Sequence, residues 1–497
     1  MPRFAYSTLL AALALAACSE QPAAPERASA ARSSSRASLA LASAVASNGT
    51  GRQIVSFAGN VPADFAARVQ ALGGQVLWVS SGSGLATVSG LTSTAAATLG
   101  RTAGIQEVDA DEGIALDIPR MSGVESSQDG GVASNANPAG AFRYARQWNM
   151  RAVQADAAWA AGFLGSPSVT IFMLDSGIDY LHSDLVGRVD LNRSVDLLGT
   201  FLVGTSSGVV AFTEADTVAK YFPSRAVFTD LFFHGTHTGA TVSSNAVRAA
   251  GITSFTKLVA VKVCAYINIC PFSSILDGVI YAADNGADVI NLSLGGAFAK
   301  AGNGRFVGLL NKVFIYARSH GVTTVVAAGN EATDLDHDGN TYATFCNSPA
   351  VICVAATGPT TDATGANGPW TDIDAPAYYT NFGRSAIDVA APGGNSSFGA
   401  PLPAPASRNT FVWAACSQTS LIVVGCINIS IVGAQGTSMA APHVAGTAAL
   451  LVSIVGRNPA AIKARIQQSA DDLGSPGTDP FYGKGRLNVA RAVGAIQ

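Results

Sequence analysis

The chain alternates between stretches that can bury a face and stretches that cannot. Residues 9–17 are an unbroken apolar run behind Met1-Pro2-Arg3. Nine residues cannot cross about 30 Å of hydrocarbon as a helix, so the run predicts an export signal over 1–18. Residues 19–50 are mostly Ala, Ser and Pro, too poor in large apolar groups to fold, and predict a flexible tether. From Gln53 the texture changes. Residues 54–57, 76–79, 85–88 and 105–108 predict strands. Phe65, Val69 and Leu72 recur at helical spacing and stop at Gly73-Gly74, and 94–99 predicts a second helix. Strand, helix, two strands, helix and strand within 51–116 give a small ferredoxin-like α+β unit.

Residues 117–147 are rich in Gly, Ser and Asn and predict an exposed, cuttable linker. Over 148–497, residues 169–174, 258–263, 288–292 and 322–328 are continuous apolar strands, the kind buried on both faces of a parallel sheet. Helical spacing over 273–285 and 306–320, each stopped by a glycine (Gly286, Gly321), supplies crossovers, so this region reads as a parallel α/β domain. The run 421–432, broken by Gly425, Asn428 and Ser430, predicts a further buried strand and not a membrane span. Asp175, Ser293 and Asn330 fall just past the carboxyl ends of predicted strands, where open parallel sheets place their sites.

Composition narrows the class. The 497 residues are 48% hydrophobic and 13% charged, with 30 Lys+Arg against 33 Asp+Glu, which excludes wholesale disorder and argues against nucleic acid as a partner. Leu15-Ala16-Ala17-Cys18 resembles a bacterial lipobox, which implies acylation of Cys18 and a lipid anchor on an exported chain. Cys264, Cys270, Cys346, Cys353, Cys416 and Cys426 remain, and an even count in an exported chain predicts disulfides. Six cysteines allow fifteen pairings. The three sequential pairs close the shortest loops, each worth roughly 2–3 kcal/mol on the chain-entropy account.

Four segments carry chemistry. Residues 171–179 are an apolar strand delivering Asp175 to its tip; His234-Gly235-Thr236-His237 follows; a strand ends at Asn330; and Gly436-Thr437-Ser438-Met439-Ala440-Ala441-Pro442-His443 opens a helix at Ser438. Acyl transfer needs a hydroxyl, a base and a carboxylate to orient that base. Pro442 is expected in the first turn, and the free N–H groups at the helix start favour a developing oxyanion. Zinc fails on spacing, since metallopeptidase helices carry His at i and i+4 with a Glu between.

In this order the segments resemble the subtilisin/proteinase K family of serine peptidases, over about 148–495. The resemblance implies a three-layer parallel-sheet domain in which Asp175 orients the imidazole, His234 is base then acid, and Ser438 is the nucleophile. Asn330 and the Ser438 N–H are expected to hold the oxyanion, and Ser293, Leu294 and Gly295 to pair with an extended substrate. It further implies a monomer acting on protein or peptide substrates, no catalytic cofactor, and an inhibitor propeptide over 51–116. Self-cleavage within the linker would leave any lipid on the propeptide and free the catalytic domain. The family position at Asp184 ligates structural calcium. Asp334, Asp336 and Asp338 before Gly339 resemble the first half of a calcium loop, although Phe345 stands where a bidentate Glu belongs. Glu331 is expected at the rim of the pocket for the residue before the scissile bond, favouring Lys or Arg there. Asp179, His237 and His443 are expected to be structural, the histidines bonding within their helices. After His237 the chain reads Thr-Gly-Ala where the family more often has Val-Ala-Gly, a change behind the imidazole. The competing reading is an inactive protease fold serving as a binding module on a surface lipoprotein; intact Asp, His and Ser segments oppose it.

Overall fold

The computed structural model describes residues 49–497 except 117–118, 127–130, 206–207, 297, 343–344, 361–364 and 397–408. The predicted signal with Cys18, and the tether as far as residue 48, lie outside the described residues.

Arg52–Phe57 (β1), Gln75–Ser80 (β2), Leu85–Ser89 (β3) and Ile105–Ala110 (β4) form an antiparallel sheet in the order β2-β3-β1-β4, with helices Phe65–Ala71 and Ser93–Gly100. The alternation of a strand divides its side chains between two cores. Val55, Phe57, Ala86 and Val88 pack with Phe65, Val69 and Leu99. Ile54 and Leu85 face the other way, into the core of the larger domain. The predicted α+β order is therefore observed, and its second face is not solvent-exposed.

Polar contacts fix this docking. Buried Arg52 donates to Ser274 Oγ (3.0 Å), Leu198 O and Thr200 O. Asp111 accepts from Thr50 Oγ1 (2.6 Å) and from Ser273 N and Oγ (2.7 Å each) at the start of helix Phe272–Asp284. Thr87 Oγ1 lies 3.0 and 2.9 Å from the two carboxylate oxygens of Asp277.

Two short strands follow, Gly113–Ala115 (β5) and Arg120–Glu125 (β6). Next come Thr170–Asp175 (β7), Val195–Asp196 (β8), Thr200–Thr205 (β9), Gly208–Thr213 (β10), Lys257–Lys262 (β11), Ile269–Pro271 (β12), Val289–Leu292 (β13) and Phe298–Ala299 (β14). The last six are Thr323–Ala327 (β15), Thr341–Tyr342 (β16), Val351–Thr357 (β17), Val389–Pro392 (β18), Val412–Ala415 (β19) and Ile431–Gln435 (β20). Seven of these make a parallel sheet, β18-β17-β15-β13-β7-β11-β8. Both faces are covered: Phe172 and Leu174 of β7 join one core with helices Phe272–Asp284 and Lys300–Ser319, while Ile171 and Met173 join the other with His234–Val242 and Thr437–Val455. This is the predicted three-layer α/β domain.

The disulfides are the three sequential pairs, Cys264–Cys270, Cys346–Cys353 and Cys416–Cys426.

Three expectations are corrected. Only 431–432 of the apolar run 421–432 is strand, the start of β20; before it, Leu421 and Val424 are exposed between Cys416 and Cys426, and Ile427 is exposed just after. Gly425 at φ 93° and Ser420 Oγ, which accepts from Val423 N (2.8 Å), hold that short disulfide loop bent. The linker 117–147 is not exposed throughout. Ser134 N, Phe142 N and Arg143 N donate to the carbonyls of Asn245, Val247 and Arg248, and Arg146 and Gln147 are buried. The helix expected at 306–320 begins at Lys300 and ends at Ser319, with Gly321 at φ 76° just beyond.

Candidate active site

Asp175 closes β7 and is almost fully buried. Its Oδ1 accepts from Ser176 N and from His234 Nδ1, each at 2.7 Å, and its Oδ2 accepts from Thr238 Oγ1 at 3.1 Å. An ionised carboxylate only accepts, so this contact places the proton on Nδ1 and turns Nε2 toward the opposite side of the ring. The close approach of the two segments needs glycine. A Cβ on Gly235 would stand 2.1 Å from Gly177 O, and one on Gly177 would stand 2.4 Å from Phe228 O.

His234 is the first residue of helix His234–Val242, preceded by Phe233 at φ 139°. Such backbone costs an L-residue on the order of 1–3 kcal/mol and persists only where neighbours impose it. Asp230 imposes it. Its Oδ1 accepts from Phe232 N (2.9 Å), Phe233 N (3.0 Å) and Ser176 Oγ (2.9 Å), and its Oδ2 accepts from Thr236 N (2.9 Å) and Thr236 Oγ1 (2.6 Å). Burial pushes the Asp230 carboxyl above the ordinary carboxylate range, and the Thr236 bonds oppose that rise. Sequence reading missed Asp230; the available signal was an acid placed before a helix-opening His-Gly-Thr.

Ser438 is the second residue of helix Thr437–Val455. Pro442 therefore lies past the first turn, correcting the sequence expectation, and its missing N–H leaves the carbonyl four residues back without its helical donor. That carbonyl belongs to Ser438, and Ser293 Oγ donates to it at 2.9 Å. In return Ser438 Oγ donates to Ser293 O at 3.0 Å, and Asn291 Nδ2 donates to Ser293 Oγ at 2.9 Å. The helix-breaking proline thus couples the Ser438 backbone to the strand that precedes Leu294 and Gly295. Leu294 is buried, and a Cβ on Gly295 would lie 3.8 Å from Gly329 Cα. Asn330 is oriented from the same helix: its Oδ1 accepts from Thr437 N (2.8 Å) and Thr437 Oγ1 (3.0 Å), which directs Nδ2 the other way.

The chain that leaves the N-terminal sheet passes through this region. β5 pairs antiparallel with β12, Ile114 opposite Cys270, and Leu116 N donates to Asn268 O at 3.1 Å. A Cβ on Gly296 would lie 2.9 Å from Ile114. The Cys264–Cys270 disulfide ties β12 to the end of β11. On the other side β6 pairs antiparallel with β20, Arg120 opposite Gln435, and Gly436, Thr437 and Ser438 follow β20 directly.

The remaining expected residues take structural partners. His237 Nε2 donates to Val412 O (3.1 Å), not within its own helix as expected, because its ring faces β19. His443 does bond its helix, through Nδ1 and Met439 O (2.9 Å), with Asn149 Nδ2 at Nε2 (2.9 Å). Burial holds His237 down to about 3 and His443 to about 4, so both are neutral near pH 7. Asp179 accepts from Arg225 Nη1 (2.8 Å) and Gln418 N (2.9 Å). The calcium readings find different chemistry. Asp184 spends its carboxylate on the N–H groups of Val247, Arg248 and Ala249 (2.8, 2.8 and 3.1 Å). Asp334, Asp336 and Asp338 diverge toward His337, Ser385 and Lys300. Among the described residues no three acidic, His or Cys side chains are grouped to hold a metal. Exposed Glu331 accepts from Asn381 Nδ2 at 2.7 Å.

A model of the subtilase family matches residues 166–485. Thermitase of Thermoactinomyces vulgaris is 30% identical over 351 residues, 70% of this chain and 96% of its own length. The thermophilic serine proteinase of Bacillus sp. strain AK1 is 31% identical over 332 residues, 66% of this chain but 62% of its own length. The crystal structure of an epidermin leader peptide processing serine protease from Staphylococcus aureus superimposes with a TM-score of 0.66 at 19% identity, covering 89% of this chain and 97% of that one. That likeness speaks to fold.

Proposed function

The chain belongs to the subtilase family and is a subtilisin-like serine endopeptidase, and on that premise we propose that Asp175, His234 and Ser438 carry the reaction. The Ser438 hydroxyl turns from Ser293 O toward His234 Nε2, gives up its proton there and attacks the substrate carbonyl. The oxyanion so formed is held by Asn330 Nδ2 and the Ser438 N–H. His234 then protonates the leaving amine, and water repeats the sequence to free the acyl group. Asp175 fixes the Nδ1–H tautomer and stabilises the imidazolium. The observation that carries this reading is the buried 2.7 Å contact between Asp175 and His234.

We further propose that the unit over 51–116 is the enzyme's own inhibitor and that the chain cuts itself between Leu116 and Pro119. Support comes from β5 and β6, which pair with β12 and with β20 on either side of that point. An exported chain anchored at Cys18 would then keep its lipid on the propeptide and release the catalytic domain, which N-terminal sequencing of the soluble form checks.

A fluorophosphonate probe tests the reaction. It is expected to label the purified chain and to fail on Ser438→Ala, with hydrolysis falling on the order of 10⁶-fold, the loss known for this nucleophile in subtilisin. Folded protein that takes no label would instead favour the inactive binding module.

A further inference from the structure

Where β6 lies is not explained by holding the propeptide, because β6 is on the carboxyl side of the cut. β20 is the middle strand of the sheet β19-β20-β6, so β6 covers what is otherwise its open edge. From Arg120 opposite Gln435, nearest Ser438, β6 runs outward to Glu125 opposite Ile431. Ser122 Oγ accepts from Gly433 N at 2.9 Å, and Met121 and Val124 pack against the larger core. Glu125 Oε1 meets Arg146 Nη1 at 2.7 Å.

Arg146 is also held from the catalytic body. Its guanidinium carbon lies 3.9 Å from the centre of the Trp413 ring, and its backbone N–H donates to Arg143 O at 2.9 Å. The next residue, Gln147, donates through Nε2 to Ala250 O (2.9 Å) and Trp413 O (3.2 Å). The Arg146 side chain is 9% exposed, against 27% for Glu125. A guanidinium stacked on indole and meeting the Glu125 carboxylate forms an acid-binding site at the end of an extended-peptide edge.

We propose that Arg146, at the far end of the β20 edge, is a specificity-determining residue reading an Asp or Glu at the position Glu125 occupies. This rests on the self-cleavage proposed above. The substrate class is an extended peptide with apolar side chains at the Met121 and Val124 positions and an acid at the next. β6 is then a built-in occupant of that strand. The cut frees the propeptide to dilute away, but residues 126–147 still tie β6 to the body, so it competes with substrate at an effective concentration of order millimolar.

The test uses the processed enzyme with internally quenched peptides that carry this chain's sequence across the cut and on through Pro-Arg-Met-Ser-Gly-Val-Glu, and versions ending in Gln or Lys. A reporter whose chromophore is the leaving group controls for catalysis. Replacing Glu by Gln is expected to raise KM about tenfold with kcat unchanged, and Lys more, with the reporter turned over normally. Tethered β6 raises every long-peptide KM by one factor and leaves their ratios intact. Arg146→Gln should erase the discrimination and Arg146→Lys keep part of it; the peptide series on the unaltered enzyme decides even where a variant fails to fold. Equal KM for the Glu, Gln and Lys peptides overturns the proposal, while Ser438-dependent turnover of the reporter would leave the protease reading standing.

Discussion

Asp277 makes the grip of the N-terminal unit depend on pH. It lies on helix Phe272–Asp284 under the sheet, 6% exposed, with Thr87 Oγ1 on its carboxylate and the charges of Asp111 and Arg52 nearby. Burial, the largest influence, pushes its carboxyl from an ordinary 3.8 to about 8; Asp111 adds to the rise, and Thr87 and Arg52 oppose it. The covered state therefore holds a proton that the uncovered or unfolded state releases. Stability from this group is fully present below about pH 4 and is lost as pH rises toward 8, by about 1.4 kcal/mol per pH unit. The ceiling is about 6 kcal/mol, and relaxation around a charged Asp277 should leave a few kcal/mol. Asp277→Asn removes the titration at constant shape. Urea unfolding of the Ser438→Ala chain, followed by tryptophan fluorescence from pH 5 to 9, should show the Asn variant gaining steadily on the parent up to about pH 8 and holding its lead above. Taking the difference cancels every group common to both chains. A gap that does not change with pH would refute the argument.

Two further outcomes follow from the site. Asn330→Ala should lower kcat by roughly 10²–10³, the loss known for the equivalent amide in subtilisin, with little change in KM; an effect confined to KM would remove Asn330 from the oxyanion. His237 and His443, held down to about 3 and 4 from an ordinary 6.5, stay neutral when folded and take up protons on unfolding. Each should cost stability as pH falls below 6.5, levelling off near those lower values, so melting temperature should drop steeply between pH 6 and 4, and His443→Gln should flatten part of that slope.

Local patterns made the architecture legible, and side-chain reach hid the rest. Strands of the parallel sheet are apolar throughout because both faces are covered, and the four motifs sit at strand ends or helix starts that their own residues create. Run 421–432 misled because apolar composition cannot separate a buried strand from a disulfide-closed turn. Segment 131–147 looked like linker from its glycines and asparagines, while Phe142, Arg146 and Trp148 anchor it through partners far along the chain. Residues 197–221, on which the sequence reading was silent, bring Leu198 O and Thr200 O to Arg52 and form a helix, Glu214–Tyr221, whose Glu214 pairs with buried Lys262. Asp184 has partners that the sequence did not show, the N–H groups of Val247, Arg248 and Ala249.

With the self-cleavage proposed above, the two ladders on either side of it imply two separate activations. The N-terminal unit grips through a broad face, with Ile54 and Leu85 in the core, Asp111 on a helix start and Thr87 on Asp277. Once severed it leaves by dilution, and deprotonation of Asp277 above neutral pH favours that departure. β6 neither touches Asp277 nor becomes a separate molecule, so neither dilution nor that proton drives it from β20. Substrates that match its Met, Val and Glu positions displace it most readily, since they make the contacts it gives up. On this reading, the strand that delays full activity also favours the substrates that end the delay.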